Sequence, residues 1–284
     1  MIKAYITPFF LVFFLATTTT YATPYKGWNY VAEKLNQQGI SQRDLKAAFE
    51  SKQMPVRPFV PFGLRPKETS LMYRSFMDKG KITLAREFLR QNAVEYTKAE
   101  KKFGVKREVI NAILLVETQF GRIVGNQRVL ERLARGASVA EEWNVRKNFK
   151  RLLKEGEQAS LVEVRARAKK VEQIFLPELK ALFEIGRREG TDVLQIKGSS
   201  AGAFGWPQFM PLAYLRFGVD GNQDGKISLF DPADAIFSVA RYLSHHGWRN
   251  KASHQEHLDV MWTYNKSKPY GETVLDLANK TAQF

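Results

Sequence analysis

The chain has no cysteine. That absence excludes a disulfide scaffold, a thiolate zinc site, a thiol nucleophile and a lipid-anchored N-terminal cysteine. There is no long series of alternating apolar and polar residues, so an all-β fold is not expected, and there is no internal repeat. A lysine-bearing phosphate loop is missing, and the residues around Ser199 and Ser200 lack the spacing of a serine-hydrolase elbow. Acidic side chains are scarce: 29 Asp plus Glu stand against 44 Lys plus Arg, a net charge of +15. What remains is an ordinary globular composition, 44% hydrophobic and 26% charged over 284 residues. It rules out a largely disordered chain and allows one large domain or two modest ones.

The charge points to an acidic partner, and the N-terminus narrows the choice. Lys3 is the only charge in the first 25 residues, and an apolar run from Ala4 to Ala16 follows, interrupted by Tyr5, Thr7 and Pro8. Thr20 and Ala22 then fit the small-residue rule, which predicts a secretory signal over residues 1–22, cut after Ala22. The run is short for a membrane span, so no stable membrane anchor is expected. An exported chain is not expected to meet nucleic acid, and one that needs no oxidant to fold suits a bacterial envelope, in the periplasm or secreted. The charge is uneven: residues 23–126 carry 19 basic and 10 acidic side chains, 127–190 carry 15 and 10, and 191–284 carry 9 of each.

Helical spacing dominates. Trp28, Val31, Leu35, Leu45, Ala48 and Phe49 recur over residues 27–53, with Ser41 and Asp44 in the form of a capping box. Pro55, Pro58, Pro61 and Pro66 predict an extended linker. One helix is expected from Thr83 to Phe103 and another from Lys106 to Phe120, each closed by a glycine. The charged stretch 127–190 predicts two or three amphipathic helices, one including Ile174 to Ile185, and Asp231-Pro232 is a good helix start.

Three segments carry candidate chemistry. Glu117 has Ile113, Leu114 and Phe120 as helical neighbours. A carboxyl on such a face is desolvated, which raises its pKa and fits it to donate a proton to a leaving oxygen. The alternative is a Glu at the edge of that face, reaching water or pairing with Lys106, Arg107 or Arg122. In DGNQDGKISLFDPAD, Asp220, Asn222, Asp224 and Gly225 fill positions 1, 3, 5 and 6 of a loop for a hard cation such as Ca²⁺, with the Lys226 carbonyl next. Asp231 or Asp234 could close it, and the alternative is a metal-free Asx-turn cluster. In SSAGAFGWPQFMP, glycines allow close approach of backbone to a ligand, while Ser199, Ser200, Gln208, Trp206 and Phe209 offer the neutral polar groups and aromatic faces that suit a sugar polymer. His245, His246, His254 and His257 lack metal-type partners at clear spacing and are expected at the surface or in packing.

In this order, VETQFG, GSSAGAFGWPQFMP, VDGNQDGKISLFDPADAIFSVARYLSHHGW and YNKSKPY resemble the lytic murein transglycosylases of the membrane-bound B type, lysozyme-like enzymes of the bacterial envelope. The resemblance implies a mainly α, lysozyme-like core over residues 84–284, with 127–190 as a helical insertion. It also implies an EF-hand-like calcium loop and a small irregular or β element near the glycan cleft. Residues 23–83, an N-terminal helical and extended segment, match the family poorly. The family's single catalytic carboxylate corresponds to Glu117. Ser199, Gln208, Phe209 and Met210 would line the cleft, joined by Tyr242, Tyr264, Asn265 and Tyr270. The calcium ligands would be Asp220, Asn222, Asp224, the Lys226 carbonyl and Asp234, with no organic cofactor. Where the family has an Arg-Arg pair, this chain has Lys170 followed by Val171, so Lys170 would take over one contact without the guanidinium fork. The implied partner is the peptidoglycan strand, acted on by a monomer. The implied reaction cuts the bond between N-acetylmuramic acid and N-acetylglucosamine and closes a 1,6-anhydro ring. A lysozyme-type hydrolase and a non-catalytic wall-binding protein on the same fold are the alternatives.

Overall fold

The computed structural model describes residues 24–64 and 75–282. The signal expected over residues 1–22 lies outside the described residues. The chain begins with α1 (Asn29–Gln37) and α2 (Gln42–Phe49), whose apolar faces bury Val31, Leu35, Leu45 and Phe49. Ser41 caps α2, its side-chain oxygen accepting the Asp44 amide at 3.1 Å. The proline-rich stretch that follows is extended through residue 64, Pro66 lying outside the described residues, and the helix Glu142–Lys154 holds it: the Val60 and Phe62 amides donate to the side-chain oxygens of Asn144 and Asn148 at 2.9 and 3.1 Å.

The single helix expected from Thr83 to Phe103 is two, α3 (Lys79–Gln91) and α4 (Ala93–Phe103). Asn92 interrupts them at φ −114° and ψ 30°, its side-chain amide donating to the Phe88 carbonyl at 3.0 Å. An asparagine competes with the helix for its own backbone, and here it wins. Next comes α5 (Arg107–Thr118), buried on nearly every side from Val109 to Val116 and packed against α3 and the later helices Pro232–His245 and Lys268–Ala282. A helix that is apolar around its circumference belongs at the centre of a fold.

The 127–190 region forms α6 (Val129–Ala137), α7 (Glu142–Lys154) and the 29-residue α8 (Leu161–Glu189), which starts with a complete Ser160–Glu163 capping box. Two short strands, β1 (Gln127–Arg128) and β2 (Lys197–Gly198), pair antiparallel, and Phe204 bridges to Phe209 just beyond. The chain ends with α9 (Pro211–Phe217), α10 (Pro232–His245), α11 (His254–Tyr264) and α12 (Lys268–Ala282). Asp231 caps α10 and Pro232 opens it, as the sequence predicts.

One core runs from Trp28 through α5 to Ala278, so residues 24–54 share their interior with α5 rather than forming a separate body. A smaller core around Val145, Leu152, Val164 and Ala168 lies between α7 and α8 and receives Val60, Phe62 and Leu64 from the extended strap. No described helix is long and apolar enough to cross a membrane.

Candidate active site

Glu117 stands in the last turn of α5. The chain then reverses through three left-handed residues, Gln119 (φ 51°), Phe120 (φ 58°) and Gly121 (φ 78°). Two of these are not glycine, so packing must hold them there. Phe120 stacks on Phe88 at 4.0 Å, and the Lys81 ammonium donates to the Gln119 side-chain oxygen. A Cβ on Gly121 would come within 2.1 Å of the Trp206 indole nitrogen, so the glycine ending VETQFG is needed for the tryptophan of GWPQFM. Thr118 ties the same two segments, donating to the Trp206 carbonyl at 2.9 Å and accepting from the Gly121 amide at 3.0 Å. Further along, Gly125 lies against the Gly198 carbonyl, leaving no room for a side chain.

The Tyr270 hydroxyl donates to a Glu117 carboxylate oxygen at 2.7 Å. Burial pushes the Glu117 carboxyl up to about 7, against the opposing pull of the Tyr270 hydrogen bond. Neither influence comes from a charged neighbour, so desolvation alone keeps the proton on.

Phe209, Tyr242, Tyr264 and Tyr270 form an aromatic wall beside the acid. Tyr264 stacks on Tyr270 at 6.2 Å between centroids and meets Tyr242 edge-on at 4.9 Å, and Phe209 touches both Tyr242 and Tyr264. The Tyr264 hydroxyl donates to the Pro207 carbonyl at 2.7 Å, and the Tyr242 hydroxyl to the Thr263 carbonyl at 2.7 Å. Phe209, Tyr242 and Tyr270 are buried, at 3%, 8% and 1% exposure. They therefore shape the wall from behind rather than offering faces for a sugar to stack on. Tyr264 and Trp206 are the half-buried rings of this region.

Gln208 is left-handed at φ 50°, and its side-chain nitrogen donates to the Gly205 and Val124 carbonyls at 2.9 and 3.2 Å. Ser199 accepts the Ala203 amide at 3.2 Å and, like Met210 and Asn265, is half-buried. Lys170 is not brought into this group. It is exposed in the first half of α8 and borders a depression with Gly63, Leu64, Leu153 and Arg167. At about 1.5 Å per residue it lies roughly 12 Å along α8 from Glu178, the residue by which α8 touches the start of α9.

Glu178 is one of the groups that sequence reasoning missed. It is half-buried, raised by burial, and accepts the Leu212 amide at 2.8 Å, so it caps α9 from another helix. No local spacing signals a cap supplied across such a separation. Thr118 was also missed, although its place directly after Glu117 in VETQFG was visible.

In the 220–234 loop the side chains turn to backbone amides. Asp220 accepts from Asp224 and Gly225, Asn222 from Asp224, and Asp224 from Lys226. Asp231 is occupied as the cap of α10. Asp234, 1% exposed, reaches into the loop and accepts the amides of Gly221, Ser228 and Asn222 at 2.8, 2.7 and 3.4 Å. Among the described residues no cluster of three or more His, Asp or Glu is gathered closely enough to hold a metal ion. The donors are nevertheless all oxygens of the type a hard cation takes. A carboxylate has about four lone-pair sites, so three amides orient Asp234 without exhausting it.

Comparison with known proteins gives this geometry a context. A family described as "Transglycosylase SLT domain" matches residues 25–259, which brings residues 25–83 inside the family's span. Membrane-bound lytic murein transglycosylase B of Escherichia coli is 35% identical over 184 residues, 64% of this chain and 43% of that protein, so less than half of the relative's length is represented. Two solved structures share the fold. The E. coli lytic transglycosylase Slt35 in complex with calcium has a TM-score of 0.67 at 23% identity, covering 93% of this chain and 94% of that one. SltB3 of Pseudomonas aeruginosa in complex with NAG-anhNAM-pentapeptide has a TM-score of 0.69 at 17% identity, covering 92% and 80%.

Proposed function

The chain belongs to the transglycosylase SLT domain family, and from that premise we propose that it is a lytic transglycosylase of the bacterial envelope. It cuts the β-1,4 bond between N-acetylmuramic acid and N-acetylglucosamine in peptidoglycan and leaves a 1,6-anhydro-muramic end. The observation that carries this reading is Glu117: one carboxyl, raised to about 7 by burial and hydrogen-bonded by Tyr270. A glycosidase that works through water or a covalent intermediate needs a second carboxyl within about 5–9.5 Å. Among the described residues the hydrogen bond to Glu117 comes from Tyr270, and no second carboxylate is among the causes that shift its pKa.

The protonated Glu117 donates to the glycosidic oxygen as the C1–O bond breaks. The carbonyl oxygen of the muramyl N-acetyl group bonds to C1 and carries the positive charge. Glu117, now a carboxylate, takes the proton of the C6 hydroxyl; the C6 oxygen attacks C1, and the acetamido oxygen leaves. Protons and electron pairs balance without water. Tyr270 keeps the carboxyl in one orientation and stabilises its anionic half of the cycle. Gln208, whose amide nitrogen is spent on two backbone carbonyls, presents its carbonyl oxygen to an acetamido N–H. Ser199 and Asn265 serve as further polar contacts on the N-acetyl sugar.

Asp220, Asn222, Asp224, the Lys226 carbonyl and Asp234 would hold a structural Ca²⁺, which would brace the turn between the QFMP segment and α10. The signal over residues 1–22 sends the enzyme to the periplasm or beyond, where it works as a monomer, and its basic excess over residues 23–190 retains it on the anionic wall. Mass spectrometry of digested sacculi tests the chemistry. Anhydro-muramic ends are expected; reducing muramic ends would instead mean a hydrolase, and intact sacculi would mean a binding protein.

A further inference from the structure

Arg132, on the second turn of α6, lies against the Ser199–Ala203 turn. Its Nε donates to the Ser200 carbonyl at 2.8 Å. The turn is pressed onto α6 at this point, since a Cβ on Gly202 would meet the Leu133 side chain at 2.5 Å. Among the described residues no carboxylate forms an ion pair with Arg132: Glu131, one residue earlier, turns to Arg135 at 2.6 Å. Among the described residues its terminal nitrogens find no hydrogen-bond partner, and they are not buried. The tether through Nε fixes the guanidinium plane and leaves the end-on pair of N–H donors open. Lys197, the first residue of β2, and Arg122, in the turn before β1, are both exposed.

We infer that Arg132 is a specificity-determining residue of the glycan cleft, reading a carboxylate on the peptide branch of a muramyl residue bound along the Ser199–Ala203 turn. The inference rests on the peptidoglycan reading above. In that polymer the amino sugars are neutral and the carboxylates sit on the peptide branches, so an unpaired guanidinium on the cleft wall meets an anion only there. Its planar fork matches a carboxylate with two parallel hydrogen bonds. Arg132 follows Glu117 by 15 residues, which include the non-helical stretch 119–126, and the two are joined through Thr118–Trp206, Gln208–Val124 and Gly125–Gly198. It therefore acts at a sugar removed from the scissile bond. Positive charge here also differs from that of Lys170, which borders a separate depression.

The test compares native sacculi with sacculi whose peptide carboxylates have been converted to neutral amides by carbodiimide and ammonia, because removing the peptides would leave a lactyl carboxylate on each muramic acid. The measured quantity is the ratio of kcat/KM on the two substrates, followed by release of anhydro ends. Arg132→Gln should lower that ratio on the order of tenfold, the value of a charge-assisted bidentate contact. Arg132→Lys, which keeps the charge and loses the fork, should fall between. An unchanged ratio, whether both rates drop together or neither does, overturns the inference and leaves Arg132 as a brace for Ser200. The same ratio is read as equilibrium binding in a Glu117→Gln background, which needs no turnover. Absence of anhydro ends from the unmodified protein would then sink the parent reading, while the binding ratio decides Arg132 independently.

Discussion

Glu117 and Asp234 are both carboxylates drawn out of water, one in the last turn of α5 and the other in the first turn of α10, and burial raises both. Their partners differ. Glu117 accepts one hydrogen bond among the described residues, from a phenol, and stays up at about 7. Asp234 accepts three backbone amides, each of which pulls it down again, with Asp231 nearby pushing up. A helix N-terminus adds a favourable dipole for the anion at Asp234, whereas Glu117 sits at a C-terminus, where the dipole disfavours it. The number and kind of donors facing a buried carboxyl thus decide whether it holds a proton for release or serves as a fixed anion that organises a loop.

The sharpest way to break that contrast is Glu117→Gln. If Glu117 is the acid, turnover should fall about 10³-fold, as read by release of anhydro ends, with α5 intact. The folded protein binds this proton more tightly than the unfolded chain. Stability associated with it is therefore fully present below the ordinary value of 4.5 and is lost as pH rises through about 7. The variant should consequently melt no lower than the parent at pH 8, and relatively higher there than at pH 4.5. Retained turnover, or a melting difference with the opposite pH trend, would remove Glu117 from the acid's role.

Tyr270→Phe sharpens the same point with a smaller effect. Loss of the Tyr270 hydroxyl as donor to Glu117 should cut turnover roughly tenfold and move the alkaline limb of the pH–rate profile upward, because that hydrogen bond lowers the carboxyl's pKa. A limb that moves down would mean that Tyr270 acts on some other group. At the second carboxylate, Asp234→Asn places an NH₂ group against backbone amides. The expected loss is about 2–3 kcal/mol, roughly 5–10 °C in Tm, while turnover per folded molecule falls far less than in Glu117→Gln.

These two regions were not equally legible in the sequence. Glu117 was readable because one carboxylate interrupts an otherwise apolar helical face, and helical spacing alone names its neighbours. Its partner Tyr270 lies 153 residues away, and only the resemblance, through the Y-N-x-S-x-x-Y segment, brought it to the cleft. The 220–225 loop was readable from its alternate oxygen side chains, and Asp231 as a cap from the proline after it. The aromatic residues were found, but not their depth: a sequence shows that Phe209, Tyr242 and Tyr270 are aromatic, not that all three are under 10% exposed. The break at Asn92 was hidden because the apolar period continues across it. Glu178 was hidden because its amide partner lies 34 residues downstream on another helix. Local period and turn chemistry are written in neighbouring residues, whereas burial and caps supplied from afar depend on how the helices finally pack.

The smallest expected effect concerns what the second carboxylate organises. Within the loop, Asp220, Asn222, Asp224 and Asp234 accept backbone amides. A bound calcium would share these oxygens with the amides, so its net stabilisation should be modest. Binding to the folded state alone adds about 1.4 kcal/mol at ten times the dissociation constant, a rise of roughly 3–6 °C in Tm for a chain of this size. Chelation should remove that increment from the parent. In Asp234→Asn it should remove little, because a neutral amide is a weaker ligand and Asp231 is committed to capping α10. A parent Tm indifferent to both calcium and chelator would make the loop an amide-closed turn. Asp234 would then be an anion whose whole task is to hold three backbone N–H groups, and its contrast with Glu117 would rest on hydrogen bonds alone.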